Sequence, residues 1–243
     1  MRLQLLLLGF LNTSSCKLLE KEVLSIDKVM KSGEKPVLAI LGGAKISTKL
    51  PIVENIMDFV DDIIIGGGMS FTFVKALGGI IGNSIHEDEM INTALDVLQA
   101  AKNKNVKIHL PVDVICSTKF SNDGEKKIFD IDKIPEKFEG MDAGPKSLEI
   151  FKEVILKSKT ILWNGPVGVF EFSNYSNGTK SVGNAVAIST ENGAFSLVGG
   201  GDSVAAVKKF KLQNSVSYVS TGGGAMLESL EGKKLPGISA LEN

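Results

Sequence analysis

Six short, almost wholly apolar runs punctuate the chain: Pro36–Leu41, Asp62–Ile65, Val106–Leu110, Thr160–Trp163, Ala194–Val198 and Val216–Val219. Continuous apolar runs of this length suit strands covered on both faces, as in a parallel sheet. Between them apolar residues recur at three- and four-residue spacing, which predicts helices over Thr48–Val60, Ser70–Leu77, Glu87–Lys104, Pro145–Ser158, Tyr175–Thr190, Ser203–Phe210 and Gly224–Leu230. A further stripe of Leu19, Val23, Ile26 and Met30 predicts a helix over Ser15–Lys31, with Ser14 or Ser15 as its N-cap and Gly33 and Pro36 ending it. Strand and helix alternating this often imply an α/β fold with a doubly wound, parallel, six-stranded, Rossmann-like sheet. Only Asp113–Asp142 breaks the rhythm. Its Lys126–Ile131 run, Pro135 and scattered polar residues read as an irregular excursion or a short hairpin. No repeat is visible, and the chain divides into an unassigned segment 1–14, a connecting helix 15–35 and one α/β domain 36–243.

Charge and cysteine content narrow the function. The 243 residues carry 27 Lys and Arg against 28 Asp and Glu, with no long basic run, so neither nucleic acid nor an acidic membrane has an electrostatic reason to bind. Cys16 and Cys116 are far apart in sequence, which excludes a disulfide framework and a cysteine metal cluster and fits a reducing, cytoplasmic setting. The start complicates this. Met1-Arg2 followed by Leu3–Leu8 resembles the head of a secretory signal, and Thr13–Cys16 is a poor match to a lipoprotein cleavage site. The competing reading is a ragged start, or the remnant of something longer upstream. No apolar run approaches the roughly 18 residues of a membrane-spanning helix.

Glycine is the outlier in composition, at 26 residues where an average of roughly 7% gives about 17. Half of them directly follow expected strands, at Gly42-Gly43, Gly66–Gly68, Gly165, Gly168, Gly199–Gly201 and Gly222–Gly224. The carboxyl ends of parallel strands are where open α/β sheets bind ligands, and glycine there exposes helix-start amides to an anion. Several such turns on one rim point to phosphate. There is no G-x-x-x-x-G-K-[ST] and no G-x-G-x-x-G opening a helix, which removes the Walker loop and the dinucleotide dehydrogenases. His86 and His109 lack metal-ligand spacing and read as surface or strand residues. Phosphoryl transfer fits what remains, since it needs positioned charge and amides more than a titrating base.

The segments Gly42–Lys49, Gly66–Phe73, Leu110–Asp113, Trp163–Glu171, Gly199–Ser203 and Ser220–Ala225 occur in order, and Leu235–Leu241 closes the chain. Together they resemble the carboxy-terminal, nucleotide-binding half of the phosphoglycerate kinases. The resemblance implies reversible phosphoryl transfer between 1,3-bisphosphoglycerate and Mg-ADP, giving 3-phosphoglycerate and Mg-ATP. It also implies roles. Lys45 contacts the moving phosphoryl group, with Gly201 and Gly223 beside it, the amides of Gly222–Gly224 stabilising its oxygens. Lys49 holds the nucleotide phosphates, Ser203 adds a hydroxyl and an amide for them, and Gly43, Ala44, Asn164, Pro166 and Gly200 belong to the same nucleotide site. Gly66, Gly67, Gly140 and Val169 wall the adenine, and Glu171 bonds the ribose. Asp202 serves the magnesium ion; read without the family it is an N-cap for the Ser203–Phe210 helix.

Two departures are local: Thr48 stands where some relatives have aspartate, and Tyr218 where many have histidine. The large one is that nothing before Ser15 resembles the family's amino-terminal, phosphoglycerate-holding domain. Turnover is therefore expected only when that half is supplied. The alternatives are a truncated, non-catalytic nucleotide-binding module and an unrelated α/β ligand binder. The apolar faces of Ser15–Lys31 and Leu235–Asn243, bared without that half, are expected to favour self-association.

Overall fold

The computed structural model describes residues 13–233. The leader-like start and the closing Leu235–Leu241 motif lie outside the described residues. Six parallel strands form the central sheet: β1 (Val37–Leu41), β2 (Asp62–Ile65), β4 (Lys107–His109), β9 (Thr160–Asn164), β10 (Phe195–Val198) and β11 (Tyr218–Val219). Their spatial order is β11-β10-β9-β1-β2-β4. All six are the expected apolar runs, and the sheet is parallel throughout, with Ala39 of β1 facing Ile63 of β2 on one side and Leu162 of β9 on the other.

The side chains of β1 show why the sheet needs helices on both faces. Ala39 and Leu41 enter one core with Ile63, Ile65, Leu162 and Leu197; Leu38 and Ile40 enter the other with Ile64, Ile161, Trp163 and Val198. Strand geometry sends alternate residues to opposite faces, so a strand apolar at every position has two faces to bury. The first core is covered by α1 (Thr13–Met30), α2 (Leu50–Ile56), α3 (Met69–Ala76), α4 (Ile91–Asn103) and α8 (Gly223–Leu230). The second is covered by α5 (Pro145–Lys157), α6 (Asn177–Glu191) and α7 (Gly201–Lys209).

Boundaries moved where local chemistry overrode periodicity. α2 begins at Leu50 rather than Thr48, with Pro51 in its first turn, and Lys49 is the residue that precedes it; proline suits the first turn, where its missing N–H is not needed. Tyr175 lies in a short 3₁₀ turn ahead of α6. Ser14 and Ser15 fall inside α1 and not before it. Of the α1 stripe, Ile26 is buried, Val23 and Met30 half-buried, and Val29 joins them.

The stretch 113–142 is neither irregular nor a simple hairpin. β5 (Asp113–Ser117) is the middle of an antiparallel three-stranded sheet with β6 (Lys126–Asp130) and β8 (Glu139–Ala143). β3 (Ile80–Ile81) pairs in parallel with β7 (Lys133–Ile134) beside it. Asp113 ties this unit to α5, accepting from the Lys146 N–H at 3.1 Å and the Ser147 N–H at 2.8 Å. The carboxylate so serves the open amides of that helix start, as a capping side chain does.

Candidate functional site

The carboxyl ends of β1, β2, β9 and β10 open onto a cleft of about 460 Å³, walled on its far side by β8 and β5. That volume suits a small-molecule ligand. Gly43, Ala44, Gly67, Gly140, Pro166, Val169, Glu171 and Asp202 line it. Eight of the expected nucleotide residues thus share one cavity, drawn from five separate segments of the chain.

A second group sits deeper on the rim. The Lys49 ammonium donates to Asn164 Oδ1, and Asn164 Nδ2 donates to the Gly199 carbonyl at 2.8 Å. Ser203 Oγ accepts from the Gly165 N–H at 2.5 Å. Burial pushes the Lys49 pKa down, and the Asp202 carboxylate partly opposes this. A cation stripped of water and facing one exposed carboxylate favours a further anion. Asp202 is not an N-cap: α7 already begins at Gly201, and Gly200, with φ of 89°, occupies the cap. Asp202 lies in the first turn instead, where a carboxylate also meets the positive end of the helix. Lys45 is exposed on the loop before α2, not in a helical turn.

The glycines separate into two kinds. At Gly66 an added Cβ would stand 2.6 Å from Val167 Cγ1, and at Gly67 (φ 68°) 2.8 Å from the Gly43 carbonyl. Packing alone demands glycine there, and Gly66 is buried and does not line the cleft. At Gly201, Gly223 and Gly224 a Cβ would meet nothing within 4 Å. Those glycines border open space at the starts of α7 and α8.

Several residues of the cleft escaped the sequence reading. Phe71 and Phe120 line it, the latter exposed and packed edge-on against Phe172 at 5.3 Å. Asp142 lines it as well, buried, its two oxygens accepting from the Gly178 N–H at 2.7 Å and the Ala143 N–H at 3.0 Å. Burial pushes its pKa up to about 7 against those two bonds and the Lys126 charge. A carboxylate between Met141 and Ala143 was the available signal. On the other flank, buried Glu22 of α1 accepts from the Tyr218 hydroxyl at 2.8 Å, the Ser220 hydroxyl and the Thr221 N–H at 3.3 Å, fastening the loop that leads into Gly222. Tyr218 therefore has a defined partner; burial, and then Glu22, push its pKa up to about 12. The histidines stay outside the cleft lining: His109 pairs with Asp62 at 2.7 Å, and His86 meets Lys75 at 2.8 Å. Among the described residues no three His, Cys, Asp or Glu side chains gather as a metal cage.

Residues 9–233 match the family model for phosphoglycerate kinase. The chain belongs to the phosphoglycerate kinase family. Curated phosphoglycerate kinases from Porphyromonas gingivalis and Thermosipho africanus are 53% and 49% identical to it over 93% of its length. The solved phosphoglycerate kinase of Coxiella burnetii superposes with a TM-score of 0.89 at 43% identity over 92% of this chain. That of Pyrococcus horikoshii gives 0.77 at 30% identity. The chain spans 54% and 56% of the two curated relatives and 57% and 56% of the two structures. Among the described residues no helix is long and apolar enough to cross a membrane.

Proposed function

We propose that this chain supplies the Mg-nucleotide half of the phosphoglycerate kinase reaction. A β-phosphate oxygen of ADP attacks the acyl phosphate of 1,3-bisphosphoglycerate, and the carboxylate of 3-phosphoglycerate leaves. The observation that carries this reading is the half-buried Lys49, held on Asn164 with Asp202 close by, at the edge of a cleft sized for a nucleoside. Lys49 and the amides at the start of α7 would bind the polyphosphate, and Gly140 and Val169 would flank the base. Glu171, at the mouth, is the carboxylate available to ribose hydroxyls. The exposed Lys45 and the open amides of α8 would meet the transferred group, countering charge as it spreads over the equatorial oxygens.

Asp202 suits magnesium because that ion is commonly held by one or two carboxylates together with substrate phosphates, so no protein cage is needed. When bound, the ion supplies neutralising charge to the phosphates. The two-cysteine composition and a glycolytic role suit a reducing, cytoplasmic setting.

Calorimetric titration with Mg-ADP tests the binding half. The unaltered chain should bind, and Lys49→Met should weaken binding about tenfold or more, as loss of a buried charge-assisted contact does. A coupled ATP-forming assay, with and without an added amino-terminal domain of a relative, tests turnover. Activity should appear only with the added domain, and binding without any restored turnover would favour a non-catalytic nucleotide module.

A further inference from the structure

The segment from Ser84 to Asp88 carries none of the expected site residues, yet it touches both ends of the cleft. At one end Ser84 Oγ, buried, accepts from the Gly140 N–H at 2.9 Å, which fixes the wall of the base pocket. At the other, Glu87 grips the phosphate loop. Its Oε1 accepts from the Ser47 hydroxyl at 2.5 Å and its Oε2 from the Ser47 N–H at 3.0 Å. Between them Ile85 lines the cleft. The segment is itself anchored, because the Glu87 N–H donates to the buried Thr72 hydroxyl of α3 at 3.1 Å, and His86 Nδ1 lies 2.9 Å from the Ser84 carbonyl.

Glu87 is only 6% exposed, so its carboxylate is an unusual choice for a mere loop tether. Burial alone would raise its pKa, but the Ser47 hydroxyl and N–H, the Lys45 charge and the Ile46 N–H outweigh it and draw the value down. The carboxylate therefore stays ionised and bonded at neutral pH. What it holds is the turn from Lys45 to Lys49: the Ile46 carbonyl accepts from the Lys49 and Leu50 N–H groups at 2.8 and 2.9 Å, and the Thr48 hydroxyl donates to the Lys45 carbonyl at 2.9 Å. Both phosphate-facing lysines hang from that turn.

We propose that Glu87 is a positioning residue for the nucleotide's polyphosphate, acting through the Ile46–Ser47 turn on Lys45 and Lys49, while Ser84 on the same strap sets the base pocket at its working distance. This deepens the functional reading above and rests on it. Simple electrostatics makes the opposite forecast for Glu87→Gln, since removing a negative charge near a polyphosphate site strengthens anion binding. Positioning says that binding weakens, because a neutral amide removes the charge assistance of both bonds and must turn the Ser47 hydroxyl round to keep the second.

The test is titration of the full chain with Mg-ADP and, separately, with adenosine, which has a base and ribose but no phosphate. Glu87→Gln should weaken Mg-ADP about tenfold and leave adenosine within about twofold, the size expected for one lost bond to a charged group. Ser47→Ala, at an exposed position and keeping the N–H bond to Glu87, should weaken Mg-ADP by a smaller factor and add little in the double variant. Tighter or unchanged Mg-ADP binding in Glu87→Gln overturns the proposal, as do equal losses for both ligands or additive losses in the double variant. If Glu87→Gln proves unfolded in urea titration, the Ser47→Ala comparison decides alone: a loss confined to Mg-ADP supports the proposal, and no loss or one shared with adenosine overturns it. An unaltered chain that binds adenosine but not Mg-ADP overturns the functional reading itself, and the inference with it.

Discussion

Asp142 makes folding stability depend on pH in a direction opposite to most carboxylates. Its ordinary pKa is 3.8, and burial raises it to about 7 in the folded chain. The folded state thus prefers the protonated acid. The stabilisation is complete below 3.8 and is lost as pH rises through about 7, the reverse of a salt-bridged aspartate. Taken over the whole shift the loss amounts to about 4 kcal/mol, at 1.36 kcal/mol per unit. At pH 5 the unfolded chain has already released its proton, so the part lost between pH 5 and pH 9 is about 3 kcal/mol. The assay is urea unfolding followed by Trp163, the single tryptophan, fully buried on β9. The control is Asp142→Asn, which cannot ionise. Its amide nitrogen must face one of the two backbone N–H groups that the carboxylate accepts from, so it starts about 1–3 kcal/mol less stable. Its slope should nevertheless flatten, so the gap between variant and parent narrows or inverts toward pH 9. Other titrating groups are common to both proteins and cancel in the difference. Parallel profiles from pH 5 to 9 would refute the reasoning.

The two kinds of glycine should part under alanine substitution. Gly66→Ala, driven into Val167, should cost about 2 kcal/mol or more in a urea titration, whereas Gly201→Ala and Gly223→Ala should leave stability within about 1 kcal/mol, the first instead lowering Mg-ADP affinity and the second the turnover restored by an added amino-terminal domain. Glu22→Ala leaves the Tyr218, Ser220 and Thr221 donors without their acceptor and should cost about 3 kcal/mol, with faster amide exchange at Thr221–Gly224 than elsewhere in the sheet. Leu18 and Leu24 stand exposed on α1, and light scattering should show concentration-dependent association that Leu24→Ser reduces; a clean monomer at high concentration would count against this.

Hydrophobic pattern by itself determined the central sheet. Four of the six strands, β1, β2, β9 and β10, are short runs with apolar residues at most positions, a statement about burial on two faces that needs no tertiary information, while the edge strands β4 and β11 are only partly buried. The glycine turns marked the rim for the same reason: a backbone constraint is written in one residue. The sequence was silent on contacts made by ordinary residues at long range. β6 is mostly exposed and reads as polar, and β5 and β8 become a sheet only when they pair with each other, so Asp113–Asp142 carried no periodicity to read. Glu87-Asp88-Glu89 looks like any solvated acidic run; only folding carries Glu87 to Ser47, forty residues away in sequence. Gly66 and Gly201 are alike on paper, and the tertiary structure alone distinguishes the one that packing requires from the one that borders empty space. Local conformational demands act on neighbours along the chain and are legible there, whereas charge burial and close approach are properties of pairs that only the closed chain brings together.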